Sequence, residues 1–181
     1  MPIVLRKSGP RDLDAIVDVF LECWSISYSG VMPAELVGSM TREKGEVLWR
    51  DALAREDFTV VVASNDSGPA STDTGPATPD IAPASIVGLV GYAIGAEKLG
   101  EVGSLYVSPA AQGTGTGRRL LTSATDDLRE RGAHEARLWV FEANEPSRAF
   151  YERLGWTTDG RRTVLAEWGQ PQIGMSRRLD D

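Results

Sequence analysis

EVGSLYVSPAAQGTGTGRR, residues 101–119, decides how the rest of the chain is read. Glu101 to Val107 is rich in aliphatic, β-branched and aromatic residues, as a strand requires, and Ser108-Pro109 ends it. Gly113, Gly115 and Gly117 follow. Beyond them Leu120, Leu121, Ala124 and Leu128 fall on one face of an amphipathic helix. A strand thus runs through a glycine-rich turn into a helix N-terminus. The first amides of a helix lack partners within it and lie at the positive end of its dipole. Glycines let a bound group approach the backbone, because no Cβ intervenes. Arg118 and Arg119 add formal charge to the same turn. The natural ligand is a phosphate or pyrophosphate.

Two common phosphate motifs fail here. A Walker turn needs Gly-Lys-Ser/Thr, and Gly117 is followed by Arg118-Arg119. The dinucleotide fingerprint G-x-G-x-x-G sits tight against its strand, whereas here Pro109 to Gln112 intervene and the spacing is G-x-G-x-G. What remains is Gln112-Gly113-Thr114-Gly115-Thr116-Gly117, or Q-x-x-G-x-G, preceded by Leu105-Tyr106-Val107-Ser108-Pro109. This resembles the acyl-CoA-binding signature of the GNAT N-acetyltransferase superfamily. A structural turn that merely needs positive φ is the alternative.

The rest of the chain fits one domain, 1–181, with enough length for a substantial core. An apolar fraction of 41% and a charged fraction of 25% are ordinary for a globular protein. No apolar run approaches the roughly 20 residues that span a bilayer, and MPIVLRKSGPRDLD lacks a signal-peptide core. Cytoplasmic residence with no membrane partner is the expectation. Cys23 is the only cysteine and His134 the only histidine. No intrachain disulfide can form, and neither a zinc site nor a histidine-based triad is expected. Cys23 reads as a small buried hydrophobe and His134 as a surface residue. The net charge of −7, from 26 acids and 19 bases, argues against nucleic acid as a partner. It suits a cationic amine, though many proteins are as acidic.

In chain order, Pro2 to Lys7 reads as a first strand. Leu13, Ile16, Val17, Phe20 and Trp24 then define a core-facing helix that breaks around Ser25 to Pro33. Trp24 and Tyr28 share a face if the helix persists, lining a pocket or filling core. Short helices follow at about Ala34 to Met40 and Lys44 to Ala54. Phe58 to Ala63 and Ile86 to Ile94 are strands. Between them, 64–85 is a Pro/Ser/Thr-rich insertion whose only large apolar residue is Ile81, and it is expected to be flexible. Short turns imply antiparallel pairing up to the strand at 101–107. The next strand, Glu135 to Phe141, lies beyond a helix and is expected to pair in parallel by a right-handed crossover. Asn144 to Leu154 is a further helix, with Pro146 in its first turn and Gly155 as its stop. Two tail strands, about Thr163 to Glu167 and Gln172 to Leu179, complete the chain.

The fold class is therefore α/β (α+β): a mixed, mostly antiparallel central sheet of about seven strands flanked by helices. That is the order implied by the GNAT resemblance, which covers nearly everything outside the insertion. A second stretch carries it too. Asn144, Arg148-Ala149-Phe150-Tyr151 and Leu154-Gly155-Trp156 are similar to the family's later motif.

The resemblance implies acetyl-CoA as donor co-substrate, no metal, and a small-molecule or peptide amine as acceptor. It implies that the pyrophosphate meets Gln112, Gly113, Thr114, Gly115, Thr116, Gly117 and Arg118. It implies too that the pantetheine arm runs along Leu105, Tyr106 and Val107 like an added strand. For that, the strand must splay from 135–141, and a β-bulge near Gly103-Ser104 would suit. Asn144 would hold the arm, or cap its helix, or both. Tyr151 would give the leaving thiolate its proton, its alternative being a tyrosine packed with Phe150. An alkylammonium must lose a proton before it attacks. Glu101 is the candidate base, through water, unless it is a solvated strand-end carboxylate; Glu142 is a weaker candidate. Trp24, Tyr28, Trp139 and Phe141 are candidate acceptor walls. A non-catalytic acyl-CoA sensor or scaffold remains the rival, and pairing of two chains through the C-terminal strands is left open.

Overall fold

The computed structural model describes residues 3–65, 85–166 and 168–180. Seven strands form one sheet: β1 (Val4–Lys7), β2 (Phe58–Ser64), β3 (Ile86–Ile94), β4 (Leu99–Val107), β5 (Glu135–Phe141), β6 (Thr157–Val164) and β7 (Pro171–Arg178). The helices are α1 (Leu13–Ser27), α2 (Ala34–Gly38), α3 (Arg42–Ala54), α4 (Thr116–Glu130) and α5 (Glu145–Arg153). The strand order is β1-β2-β3-β4-β5-β7-β6. The β4–β5 pair is parallel, with α4 as its crossover, and the other neighbours are antiparallel.

The sheet separates two apolar layers. On one face α4 packs Leu120, Leu121, Ala124 and Leu128 against Val90, Val102 and Leu138. On the other, Ile16, Val17 and Phe20 of α1, with Trp49 of α3, cover Val60, Val62 and Leu89. Strands covered on both faces need no polar alternation. That is why β2 and β3 read as nearly continuous apolar runs.

Among the boundaries that differ from the expectation, two matter for the site. The helix α1 passes Ser25 and continues to Ser27, with Tyr28 as its C-cap donating to Trp24 O at 3.4 Å. β6 begins at Thr157, ahead of the Thr163 expected. It is a polar edge strand, irregular between Thr158 and Arg162, and pairing with β7 creates it rather than any apolar pattern. Of the insertion expected at 64–85, residues 66–84 lie outside the described residues. The strands on either side still meet: Ser64 pairs Ile86, and Asn65 N donates to Ser85 O at 3.1 Å.

The site is prepared on β4. Gly91 pairs Ser104 and Tyr92 pairs Val102, so Gly103 is left over as a β-bulge where one was expected. On its other side β4 pairs β5 only from Leu99↔Glu135 to Val102↔Leu138. Beyond the bulge the two strands part. A bulge strengthens local twist and ends pairing, so it supplies the divergence that a parallel pair would otherwise resist.

Leu120 is fully buried between α4 and the sheet. Leu120→Ala should destabilise the protein by about 2–5 kcal/mol in urea unfolding, with the slope unchanged. A loss below about 1 kcal/mol would mean that α4 is not anchored through this contact.

Candidate active site

The parting of β4 and β5 exposes backbone rather than side chains. Ser108 N donates to Val87 O at 2.9 Å, so Ser108 turns its backbone to β3. Backbone direction alternates along a strand. Tyr106 and Ser104 therefore also face β3, while Leu105 and Val107 face the gap. Val107 O is already engaged, by Gln112 Nε2 at 3.1 Å and Cys23 Sγ at 3.2 Å. The N–H of Val107 and both backbone groups of Leu105 remain for a ligand. The Tyr106 ring takes the opposite sheet face from Leu105 and Val107, packing 5.3 Å from Phe20 while also lining the cavity where β4 and β5 separate.

The turn after β4 is held by its own side chains. Thr114 Oγ1 donates to Ala111 O at 2.6 Å and lies 2.8 Å from Thr116 Oγ1. Gly113 and Gly115 have φ of 76° and 87°, which other residues adopt at a cost, and a Cβ on either would meet open space. Gly117 serves packing instead, since a Cβ there would stand 3.4 Å from the Phe150 ring. The first intrahelical bond is Arg119 N to Gly115 O at 3.0 Å. The amides of Thr116, Gly117 and Arg118 thus have no partner within α4. Arg118 is exposed beside them and also lines an open groove of about 710 Å³, together with Arg153 and Arg177. In an acidic chain this is a local concentration of positive charge.

A cavity of about 320 Å³ lies where β4 and β5 separate. Gly103 to Tyr106 and Leu138 to Phe141 form its sides, and α5 adds Asn144, Ser147 and Tyr151. Asn144 is buried and caps α5, its Oδ1 accepting from Ser147 N at 3.2 Å, which leaves its NH₂ group for the cavity. Both roles expected of Asn144 are thus open to it together. Burial raises the Tyr151 hydroxyl above the usual tyrosine range, with Tyr28 adding to the effect. Burial raises the Tyr28 and Tyr106 hydroxyls, and the influence of Tyr106 opposes the rise at Tyr28.

The remaining candidates lie apart from this cavity. Glu101 is exposed, two residues before Gly103, with its carboxylate beside Gly95. Val102 points to the α4 side, so Glu101 shares the opposite sheet face with Trp139. Glu142 is tied to Arg162 at 2.8 Å. Cys23 is buried, and its thiol is pushed up to about 12 by burial, with the charge of Glu22 adding. His134 is exposed. Among the described residues no group of three or more His, Cys, Asp or Glu could hold a metal ion, and no helix is long and apolar enough to cross a membrane.

Sequence reasoning missed Trp168 and Gln172, which line the cavity from the β6–β7 connection and β7. The cluster Trp168-Gly169-Gln170-Pro171 reads as a turn, and nothing local shows that the turn folds back over α1. Of the expected walls, Trp24, Tyr28, Trp139 and Phe141 all line the cavity. Trp139 is 43% exposed and has the Arg161 guanidinium 4.6 Å from its ring centroid.

Comparison with known proteins places these features. The acetyltransferase (GNAT) family model matches residues 42–156. A spermidine N(1)-acetyltransferase of Thermoplasma acidophilum is 27% identical over 168 residues, covering 91% of this chain and 96% of that protein. A mycothiol acetyltransferase of Beutenbergia cavernae is 43% identical over 72 residues, 40% of this chain but 23% of that protein. Among solved structures, the PaiA N-acetyltransferase of Thermoplasma acidophilum in complex with coenzyme A superposes with a TM-score of 0.77. It is 22% identical and covers 98% of this chain and 99% of that one. The fold is the α+β acetyltransferase fold expected from the sequence.

The raised Cys23 value keeps the sulfur as a thiol until well above neutral pH. Native protein at pH 8 should therefore react with a disulfide reagent at least a hundredfold more slowly than protein unfolded in urea. Rapid labelling in the native state would show that the thiol is neither buried nor raised.

Proposed function

The chain belongs to the GNAT acetyltransferase family, and on that premise we propose that it transfers an acetyl group from acetyl-CoA to a primary amine of a small molecule or peptide, by direct attack in a ternary complex. The observation that carries the proposal is the set of Leu105 and Val107 backbone groups turned into the gap that opens on Tyr151. The residues fit the donor. The free backbone of Leu105 and Val107 would take the pantetheine arm as an added strand. The amides from Gly113 to Arg118 would hold the pyrophosphate at the positive end of α4. Arg118, Arg153 and Arg177 supply charge for the nucleotide end. Asn144 would steady the arm from α5.

Acetyl-CoA, when bound, supplies an activated thioester carbonyl. A gap-facing amide would polarise its oxygen, a kind of contact whose removal costs about 3 kcal/mol in well-studied acyl transfer. The acceptor amine would lose its proton through water to Glu101, which lies outside the cavity lining. Tyr151 gives a proton to the leaving sulfur. Its raised value keeps it protonated at neutral pH, as an acid must be, and the same desolvation increases the sulfur's hold on a proton. Cys23 takes no part, because a buried thiol raised to about 12 is a poor nucleophile.

Tyr151→Phe should lower kcat about a hundredfold while leaving the Kd for acetyl-CoA within threefold, by calorimetry and thiol release. An unchanged kcat would remove Tyr151 as the acid. Binding by the wild type with no amine turned over would instead favour the sensor role. Glu101→Gln should lower kcat/KM at least tenfold near neutral pH, and less as the pH approaches that of the free amine. Equal rates at every pH would remove Glu101 as the base. Because Tyr151 sits above its ordinary value, the pH–rate profile should show no descending limb below about pH 10; a fall between pH 8 and 9 would contradict it.

A further inference from the structure

The part of the cavity facing away from α5 is a wall of aromatic rings. The Trp168 and Trp24 centroids are 5.2 Å apart, Trp24 and Tyr28 4.9 Å, and Tyr28 and Phe141 5.4 Å. The Trp24 handle is spent internally, its Nε1 donating to Val37 O at 3.1 Å. What the wall offers a ligand is ring surface, which attracts flat apolar groups and cations. Among the described lining residues none is charged. The cavity is about 320 Å³, at the small end of the roughly 300–1,000 Å³ of ligand sites, and the donor arm would enter it too, so the acceptor must be small.

We infer that the acceptor is a small monoamine with an aromatic body, of the arylalkylamine class, held by Trp24, Tyr28, Phe141 and Trp168. The inference rests on the acetyl-transfer function proposed above and names its substrate class. A single ammonium loses its proton before attack and leaves a neutral molecule in a site whose described lining is uncharged and whose far wall is aromatic. A polyamine would bring further ammonium groups that the described lining cannot pair, and an unpaired charge is costly to desolvate. This chain therefore departs from the spermidine specificity in the name of its 27% identical relative. Trp168 is the specificity-determining residue most open to test: it is half-buried and closes the wall from a connection rather than from the core.

The probes are 2-phenylethylamine and spermidine. Acetyl transfer is followed by thiol release, and amine binding by calorimetry on protein saturated with coenzyme A. We expect kcat/KM for 2-phenylethylamine at least tenfold above that for spermidine. Trp168→Ala should erase most of that preference by raising the amine KM about tenfold, with kcat and the acetyl-CoA KM within threefold. Trp168→Phe should restore it, which a merely structural role would not require. Spermidine used equally well or better, or Trp168→Ala leaving the preference intact, would overturn the inference while acetyl transfer stands. Trp168-dependent binding of 2-phenylethylamine with no acetyl transfer would keep the aromatic-amine site and overturn the acetyl-transfer function. Failure of 2-phenylethylamine to bind or react would overturn the inference outright.

Discussion

Everything at the candidate site depends on one broken pairing. β4 and β5 are bonded from Leu99↔Glu135 to Val102↔Leu138 and then part. In a parallel sheet each lost ladder bond leaves donors and acceptors that must find other partners. Here Gly103 is extruded as a bulge on the β3 side, so β4 keeps its antiparallel ladder to β3 through Val107 while it leaves β5. The strand stays anchored on one edge and becomes available on the other. A rigid scaffold with an unpaired edge facing inward is a preorganised receptor for an extended amide chain.

The neighbouring elements make that edge usable. The helix α4 both covers the sheet and directs its N-terminal amides to the end of the same gap. The close contact of Gly117 with Phe150 brings α5 against that helix end. Through α5, Asn144 and Tyr151 reach the cavity from one side. From the other side come Trp24 and Tyr28 at the end of α1, and Trp168 above them. The proposed donor groups and acceptor wall thus meet across the split. Burial holds the tyrosine hydroxyls protonated and raises the one cysteine thiol as well.

Much of this was legible in residues 101–119. The bounds of β3 and β5 and the cap and stop of α5 follow from local pattern: apolar runs between turn residues, Asn144 before Pro146, Gly155 after Leu154. The bulge at Gly103 follows instead from the splayed strand that the family resemblance implies. What escaped was decided by distant partners. β6 has polar, half-exposed residues, and only β7 makes it a strand. Trp168 sits among turn residues, and its contact with Trp24 spans most of the chain. The different roles of Leu105, Tyr106 and Val107 come from β-ladder phase, which composition does not encode. The place of Glu101 outside the cavity lining likewise depends on which face Val102 takes.

The central claim is that the backbone of Leu105 and Val107 is free in the gap and is the surface on which the donor lies. Residue-resolved amide hydrogen exchange, with and without saturating coenzyme A, tests it most directly. The Leu105 and Val107 amides should exchange at least tenfold faster than those of Tyr106 and Ser108 in the free protein, and should slow at least tenfold when coenzyme A binds. Leu105 and Val107 already as protected as their neighbours, or unchanged at saturation, would contradict the account.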